Sequence, residues 1–152
     1  MGRKSRNKGA SFENKIARII GSALGITLRR TPLSGGWATG NANVAGDIVC
    51  VDDTIDFPYC VECKKQEGWK LESLLLYDHA WFDAWWEQLI TECPNTKIPV
   101  LVFSRNYQPE FVAIKANAES MPTYPALLTT VNGELVIIST LTFWLEFSIK
   151  KG

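Results

Sequence analysis

The N-terminal part of the chain carries apolar residues at helical spacing. Phe12, Ile16 and Ile20 recur every four positions, and this pattern predicts a helix from Ser11 to about residue 24. Ser11 is a residue type that caps helix N-termini, and the glycine at position 25 ends the helix. Residues 1–9 are polar, basic and interrupted by glycine, so we expect a flexible basic arm there.

A polar loop separates this helix from the first long apolar strands. Residues 26–30 form a short extended piece, and residues 31–46 are rich in glycine, asparagine and small polar side chains. Loops of this length in a small domain are usually functional or disordered. Asp47 opens a strand over 48–51, and residues 59–64 form the next strand.

The second half alternates one helix with several strands. Residues 71 to about 91 carry apolar side chains at helical spacing, including three tryptophans, and predict one long helix. Strands are predicted over 99–103, 111–114, 126–131 and 134–139, the last two joined by an Asn132-Gly133 hairpin turn. A short helix follows from Ser139 or Thr140. The order predicts a single α/β domain over 1–152, with a mixed central β-sheet flanked by helices.

Composition narrows the class of protein. Of 152 residues, 46% are hydrophobic and 21% are charged, which is typical of a soluble globular protein. No apolar run is long enough for a membrane span, and no apolar stretch follows the basic N-terminus as it would in a secretory signal. We therefore expect a cytoplasmic protein, in its own cell or in an infected one.

The cysteines give little support for a zinc or redox site. The chain has four cysteines and one histidine, and the Cys60-x-x-Cys63 pair lies in a predicted strand. Side chains alternate between the two faces of a strand, so these two thiols point in opposite directions and cannot share a metal. We expect reduced, half-buried thiols.

Three charged residues on neighbouring strands form a candidate catalytic site. Glu62 and Lys64 lie on one face of the third strand, and Asp47 begins the strand before it. Two close carboxylates repel each other unless a cation lies between them, and Mg²⁺ prefers hard oxygen ligands and keeps water molecules that can be ionised. Lys64 can orient that water or neutralise charge on a phosphate. The alternative is a salt bridge between Glu62 and Lys64 on an exposed strand.

The same residues resemble a known motif. Gly46-Asp47-Ile-Val-Cys-Val followed by Tyr-Cys-Val-Glu62-Cys-Lys64 resembles the PD-(D/E)XK nuclease motif, except that Gly46 stands in place of the proline. About the first 70 residues are most similar to Holliday-junction resolvases of the archaeal type, which also occur in phages. The matching segments are residues 8–13, residues 29–35, Asp47 and residues 62–64. The resemblance implies a restriction-endonuclease-like core.

The resemblance also implies roles for individual residues. Asp47, Glu62 and the carbonyl of Cys63 would bind Mg²⁺, for which Mn²⁺ would substitute; Lys64 would position the attacking water, and Glu13 would reach a second metal. An acidic residue near a helix N-terminus is favoured by the helix dipole alone, so Glu13 has a structural alternative. The basic residues also have a structural alternative, since they can be ordinary solvated side chains. The expected DNA-binding residues are Arg3, Lys4, Arg6, Lys8, Arg30, Ser34 and Lys65.

Three functions compete at this point. The first is a structure-selective endonuclease that nicks branched DNA, most of all Holliday junctions, leaves 5′-phosphates and works as a homodimer. The second is a restriction-like or repair endonuclease acting on duplex DNA, and the third is an inactive DNA-binding module. Trp86 lies off the apolar stripe of its helix, which would suit a subunit interface. Gln88 is expected to face the active site, and His79 is expected to be structural.

Overall fold

The computed structural model describes residues 3–32, 45–76, 79–117 and 121–149, with side chains described from Asn7 onward. Loop residues 33–44, which include the predicted DNA contact Ser34, lie outside this range. Within it, none of the helices is long and apolar enough to cross a membrane.

A five-stranded mixed sheet forms the centre of the fold. Its strands are β3 (Tyr59–Lys65), β4 (Ile98–Ser104), β5 (Phe111–Lys115), β6 (Leu127–Val131) and β7 (Glu134–Thr140). The strand order is β3-β4-β5-β7-β6; β3 and β4 are parallel, and the other neighbours are antiparallel. A separate antiparallel pair, β1 (Leu28–Arg30) and β2 (Ile48–Cys50), lies before it in sequence. The predicted α/β class with a mixed central sheet is confirmed.

Both faces of the sheet are covered, which explains why its middle strands are apolar throughout. In β4, Val100 and Val102 face one core, while Leu101 and Phe103 face the other, and all four are fully buried. The first core packs against α1 (Arg3–Leu24) and α3 (Leu141–Trp144), which continues as a π-helical turn over Leu145–Ile149. The second packs against α2 (Ala80–Glu92). The sheet is therefore the middle layer of three.

Helix α1 begins earlier than the sequence pattern predicts. It starts at Arg3, so the predicted start at Ser11 is corrected: residues 3–10 have helical backbone. Arginine and lysine are good helix formers, no proline interrupts this segment, and one glycine costs only about 1 kcal/mol. The polar residues before Ser11 extend the helix even though they add nothing to its apolar face.

The predicted long helix over 71–91 is also corrected. The segment forms a short 3₁₀ helix, Leu71–Leu75, and then α2 begins at Ala80. Leu76 is extended, with φ −116° and ψ 177°, which ends the first piece. The break allows Trp81 to stack on Trp69, with ring centroids 5.0 Å apart, and to donate a hydrogen bond to Ser73 Oγ at 2.8 Å.

Trp86 is buried inside its own chain. It is 2% exposed, stacks on Phe82 and donates from Nε1 to Glu134 Oε1 at 3.1 Å. The interface explanation for Trp86 is therefore wrong, because neighbouring helix and strand residues cover it. The predicted hairpin is confirmed: Asn132 and Gly133 join β6 to β7 with φ of 51° and 80°, the left-handed values that such a turn requires.

Candidate active site

Main-chain hydrogen bonds hold Asp47 against β3. The Asp47 amide donates to the Val61 carbonyl at 2.7 Å, and the Cys63 amide donates to Asp47 Oδ2 at 2.8 Å. On its other side, the Asp47 carbonyl accepts from the Thr31 amide at 2.8 Å. The carboxylate is thus fixed at the level of Glu62, which lies between Val61 and Cys63 in the same strand.

Gly46 makes this approach possible. It has φ +77°, and a Cβ at this position would lie 2.5 Å from the Val61 carbonyl oxygen. Proline holds φ near −65°, so the proline of the motif cannot adopt this backbone. The glycine is therefore a geometric requirement of the way this chain reaches β3.

Glu62 and Lys64 face α2. Glu62 is 7% exposed, and Lys64 Nζ donates to Gln88 Oε1 of α2 at 2.9 Å. The predicted alternative, a Glu62–Lys64 salt bridge, does not form between these two described residues. The contact expected between Gln88 and the site is confirmed. Gln88 Nε2 in turn donates to Glu92 Oε1 at 3.4 Å, so α2 holds the lysine through a short polar chain.

The electrostatics of the two carboxylates suit a cation. Burial raises the pKa of Asp47 to about 6, and the charge of Glu13 adds to that effect against the Cys63 amide, which lowers it. Burial raises the pKa of Glu62 to about 7, and repulsion from Asp47 is the next cause. Each carboxylate is therefore costly to ionise beside the other, and a divalent ion between them would remove that cost.

The donor set fits magnesium better than zinc. Among the described residues, no three histidine, cysteine, aspartate or glutamate side chains are grouped to hold a metal. Mg²⁺ is usually bound by one or two carboxylates and keeps several waters, whereas structural zinc requires four protein ligands. Two hard carboxylates with a neighbouring main-chain carbonyl meet the first requirement.

Comparison with known proteins identifies the family. The model of the family described as "Phage putative PDDEXK endonuclease" matches residues 4–146, which is nearly the whole chain. The chain belongs to this endonuclease family. No curated protein and no solved structure gives a significant match. Membership of the PD-(D/E)XK nucleases, expected from Asp47, Glu62 and Lys64, is therefore confirmed.

In this endonuclease, Glu13 and Arg30 form an ion pair with each other. Arg30 Nε donates to Glu13 Oε2 at 3.0 Å, and both side chains are partly buried. Glu13 is close enough to Asp47 to raise its pKa, so it belongs to the electrostatic surroundings of the site. The structure thus joins an expected metal ligand and an expected DNA contact as an ion pair, and no local pattern in the sequence indicates this pairing.

The other expected DNA contacts are spread over α1 and the end of β3. Lys8 pairs with Glu67, with Nζ–Oε2 3.3 Å, and Lys65 Nζ lies 5.6 Å from the centre of the Phe12 ring. Residues Arg3, Lys4 and Arg6 lie in α1, and their side chains are outside the described part.

The histidine and the cysteines have structural surroundings. His79 precedes α2, and its Nδ1 lies 2.9 Å from Asp83 Oδ1. Cys60 lies in the core beneath α2, while Cys63 packs on the α1 side. The opposite orientation expected for the two thiols is confirmed.

Glu92 is the residue that sequence reasoning missed. Its charge raises the pKa of both Asp47 and Glu62, and it accepts the hydrogen bond from Gln88. The only signal in the sequence is the spacing of four between Gln88 and Glu92, which places both on one helix face. That spacing is common on solvated helices, so by itself it does not indicate a functional site.

Proposed function

We propose that this chain is a Mg²⁺-dependent endodeoxyribonuclease that nicks branched DNA, with four-way junctions as its main substrate. One observation carries the catalytic part of the proposal. The Cys63 amide holds Asp47 beside the buried Glu62, and Lys64 extends from the same strand face. Two carboxylates and one lysine in this arrangement suit hydrolysis of a phosphodiester.

Asp47, Glu62 and the Cys63 carbonyl would hold the metal, and Mn²⁺ would replace Mg²⁺. When bound, the ion supplies a more acidic water and neutralises charge on the phosphate. Glu13 would reach a second ion through water, in competition with its ion pair to Arg30.

Lys64 positions the water that attacks phosphorus. Its ammonium group donates a hydrogen bond to Gln88 rather than pairing with Glu62. The ammonium group therefore stays available to the oxygen of the attacking water. The water oxygen forms the new bond to phosphorus, and the bond from phosphorus to the 3′ oxygen breaks. The attacking water gives up one proton to solvent, and the leaving 3′ oxygen takes one up. The products are a 5′-phosphate and a 3′-hydroxyl.

The proposed preference for branched DNA rests on the segments that resemble the resolvases. Glu13 from α1, Arg30 from β1 and Asp47 come together with β3, so segments distant in sequence meet around one site. A four-way junction has two-fold symmetry, and a homodimer would match it. The host compartment would be the cytoplasm of the phage-infected cell.

Cleavage of a labelled four-way junction and of a linear duplex tests the proposal. With Mg²⁺, we expect symmetric nicks on the junction and little cutting of the duplex, and none with chelator. Lys64→Ala should reduce the rate at least about 100-fold and leave junction binding intact. Equal cutting of both DNAs would favour a general duplex nuclease. Binding without cutting in any divalent ion would favour an inactive DNA-binding module.

A further inference from the structure

A basic groove of about 580 Å³ runs along α1, and neither Asp47 nor Glu62 is among its lining residues. Four cations line it, together with Ser11, Phe12, Asn14 and Asn106. None of the described lining residues is a carboxylate, although Glu67 and Glu110 pair with two of the cations. The cations are Lys8, Lys15, Arg18 and Lys65. Such a lining favours an anion as the occupant.

The cations form a row. Ten residues of α1 separate Lys8 from Arg18, which corresponds to about 15 Å of helix. One DNA strand carries a phosphate about every 3.4 Å along the duplex axis, so a row of this length spans several successive phosphates of one strand. A single small anion would use only one part of it, whereas a polyanion would use its whole length.

The existing partners of these cations leave room for phosphate. Arg18 is exposed and makes no ion pair within the described part of the chain. Lys15 pairs with Glu110 and Lys8 with Glu67, and all four side chains are partly exposed. Exposed pairs contribute little stability, so phosphate can replace the carboxylates at small cost.

The end of β3 separates this groove from the active site. Lys64 and Lys65 are consecutive, and they turn to opposite faces: Lys64 reaches Gln88 of α2, and Lys65 lies over Phe12 of α1. A DNA arm in the groove is therefore on the other side of the strand from the phosphate that is cut. Linear duplex offers a single arm, whereas a junction offers several.

We infer that the groove binds the backbone of a second DNA arm and so provides the selectivity for branched DNA. This inference rests on the proposed function, since it assigns that substrate a second contact. Binding in the groove would be insensitive to sequence and strongly dependent on salt, because it is made by cations and phosphates.

Two charge-matched double variants test the inference. Lys15→Gln/Arg18→Gln removes two groove cations, and Lys70→Gln/Lys115→Gln removes two cations that do not line the groove; each changes the net charge from 0 to about −2. Lys15 and Lys115 are closely matched, as both pair with a glutamate and are 49% and 47% exposed. Binding of full-length protein to a four-way junction and to a linear duplex is measured in chelator over a series of salt concentrations.

We expect the groove variant to bind the junction roughly tenfold more weakly, with a salt slope smaller by about 2, and the control variant to bind as the parent does. Duplex binding should change much less. Equal losses of affinity for the two variants, or equal losses on junction and duplex, would overturn the inference.

The proposed activity and the proposed role of the groove can fail separately. A parent that binds junctions through the groove without cutting them would refute only the proposed activity. Normal cutting, with binding unchanged in the groove variant, would refute only the role of the groove.

Discussion

Gly46 and Val61 touch so closely that no side chain fits between them. A Cβ on residue 46 would lie 2.5 Å from the Val61 carbonyl oxygen, and the glycine has φ +77°. The next residue is Asp47, whose amide donates to that same carbonyl. The geometry of one catalytic carboxylate therefore depends on the absence of a side chain one position earlier.

Gly46→Ala should reduce both stability and cleavage. The methyl group meets main-chain atoms that cannot move without shifting β3, so we expect a loss of about 2–4 kcal/mol in the free energy of unfolding. Displacement of the Asp47 carboxylate should reduce the cleavage rate by about 100-fold. Denaturant unfolding and single-turnover kinetics measure the two effects.

Gly25→Ala is the matched control for that change. Gly25 has φ +71°, nearly the same backbone, but nothing lies within 4 Å of its missing Cβ. We expect a cost of about 1 kcal/mol and unchanged cleavage. Equal effects of the two substitutions would show that the backbone angle alone matters, and would contradict the role given to the Val61 contact.

Glu62→Gln should stabilise the metal-free protein at high pH. The pKa of Glu62 is about 7 in the folded state and near 4.5 when unfolded, so the folded protein binds this proton more tightly. The contribution of Glu62 to the free energy of unfolding is then greatest below about pH 4.5, and it is lost as pH rises through about 7. Glutamine removes that loss, and we expect a gain of about 1–3 kcal/mol at pH 8 and none at pH 4.

Thermal unfolding in chelator at the two pH values measures this gain, with Glu87→Gln on exposed α2 surface as the control. Added Mg²⁺ should stabilise the parent at pH 8 more than it stabilises Glu62→Gln, since the variant lacks a ligand. A Glu62→Gln variant no more stable than the parent at pH 8 would mean that burial does not make ionised Glu62 costly to the folded protein.

The sequence predicted the sheet and the central residues of the site because both depend on local patterns. Alternation placed Glu62 and Lys64 on one face of β3, and the Asn132-Gly133 turn set the hairpin. Two helix boundaries were wrong because their causes are not periodic. The polar start of α1 has no apolar stripe, and the break before α2 depends on how Trp81 packs against Trp69.

Relationships across the fold could not be predicted from single positions. The pairing of Glu13 with Arg30 joins residues 17 apart in sequence, on a helix and a strand whose crossing the sequence does not define. The buried Trp86 donates its indole hydrogen bond to Glu134, which lies 48 residues away. The spacing of apolar residues within a helix is the same whether a second apolar face is exposed or is covered by a hairpin distant in sequence.

Gln88→Ala should slow cleavage without weakening DNA binding. The substitution removes the acceptor that holds Lys64 Nζ, so the lysine spends less time directed at the attacking water. We expect kcat to fall about tenfold with KM unchanged, a smaller effect than that of Lys64→Ala. Gln88→Glu keeps an acceptor and should recover part of the rate. An unchanged kcat in Gln88→Ala would show that Lys64 needs no support from α2.

Substitutions of Glu13 and Arg30 should move the pH dependence of cleavage in opposite directions. The charge of Glu13 raises the pKa of Asp47, so Glu13→Gln should lower that pKa and extend activity to lower pH. Arg30→Gln leaves Glu13 without its partner and should shift the acidic limb to higher pH.

The double variant distinguishes an electrostatic role of Glu13 from a ligand role. If Glu13 acts only through its charge, the double variant should have nearly the pH profile of Glu13→Gln, because Arg30 then has no Glu13 charge to compensate. If Glu13 also binds a metal through water, Glu13→Gln alone should lower the rate about 10-fold or more at every pH, and raising Mg²⁺ should recover part of it. A profile unaffected by either single substitution would remove the pair from the active site altogether.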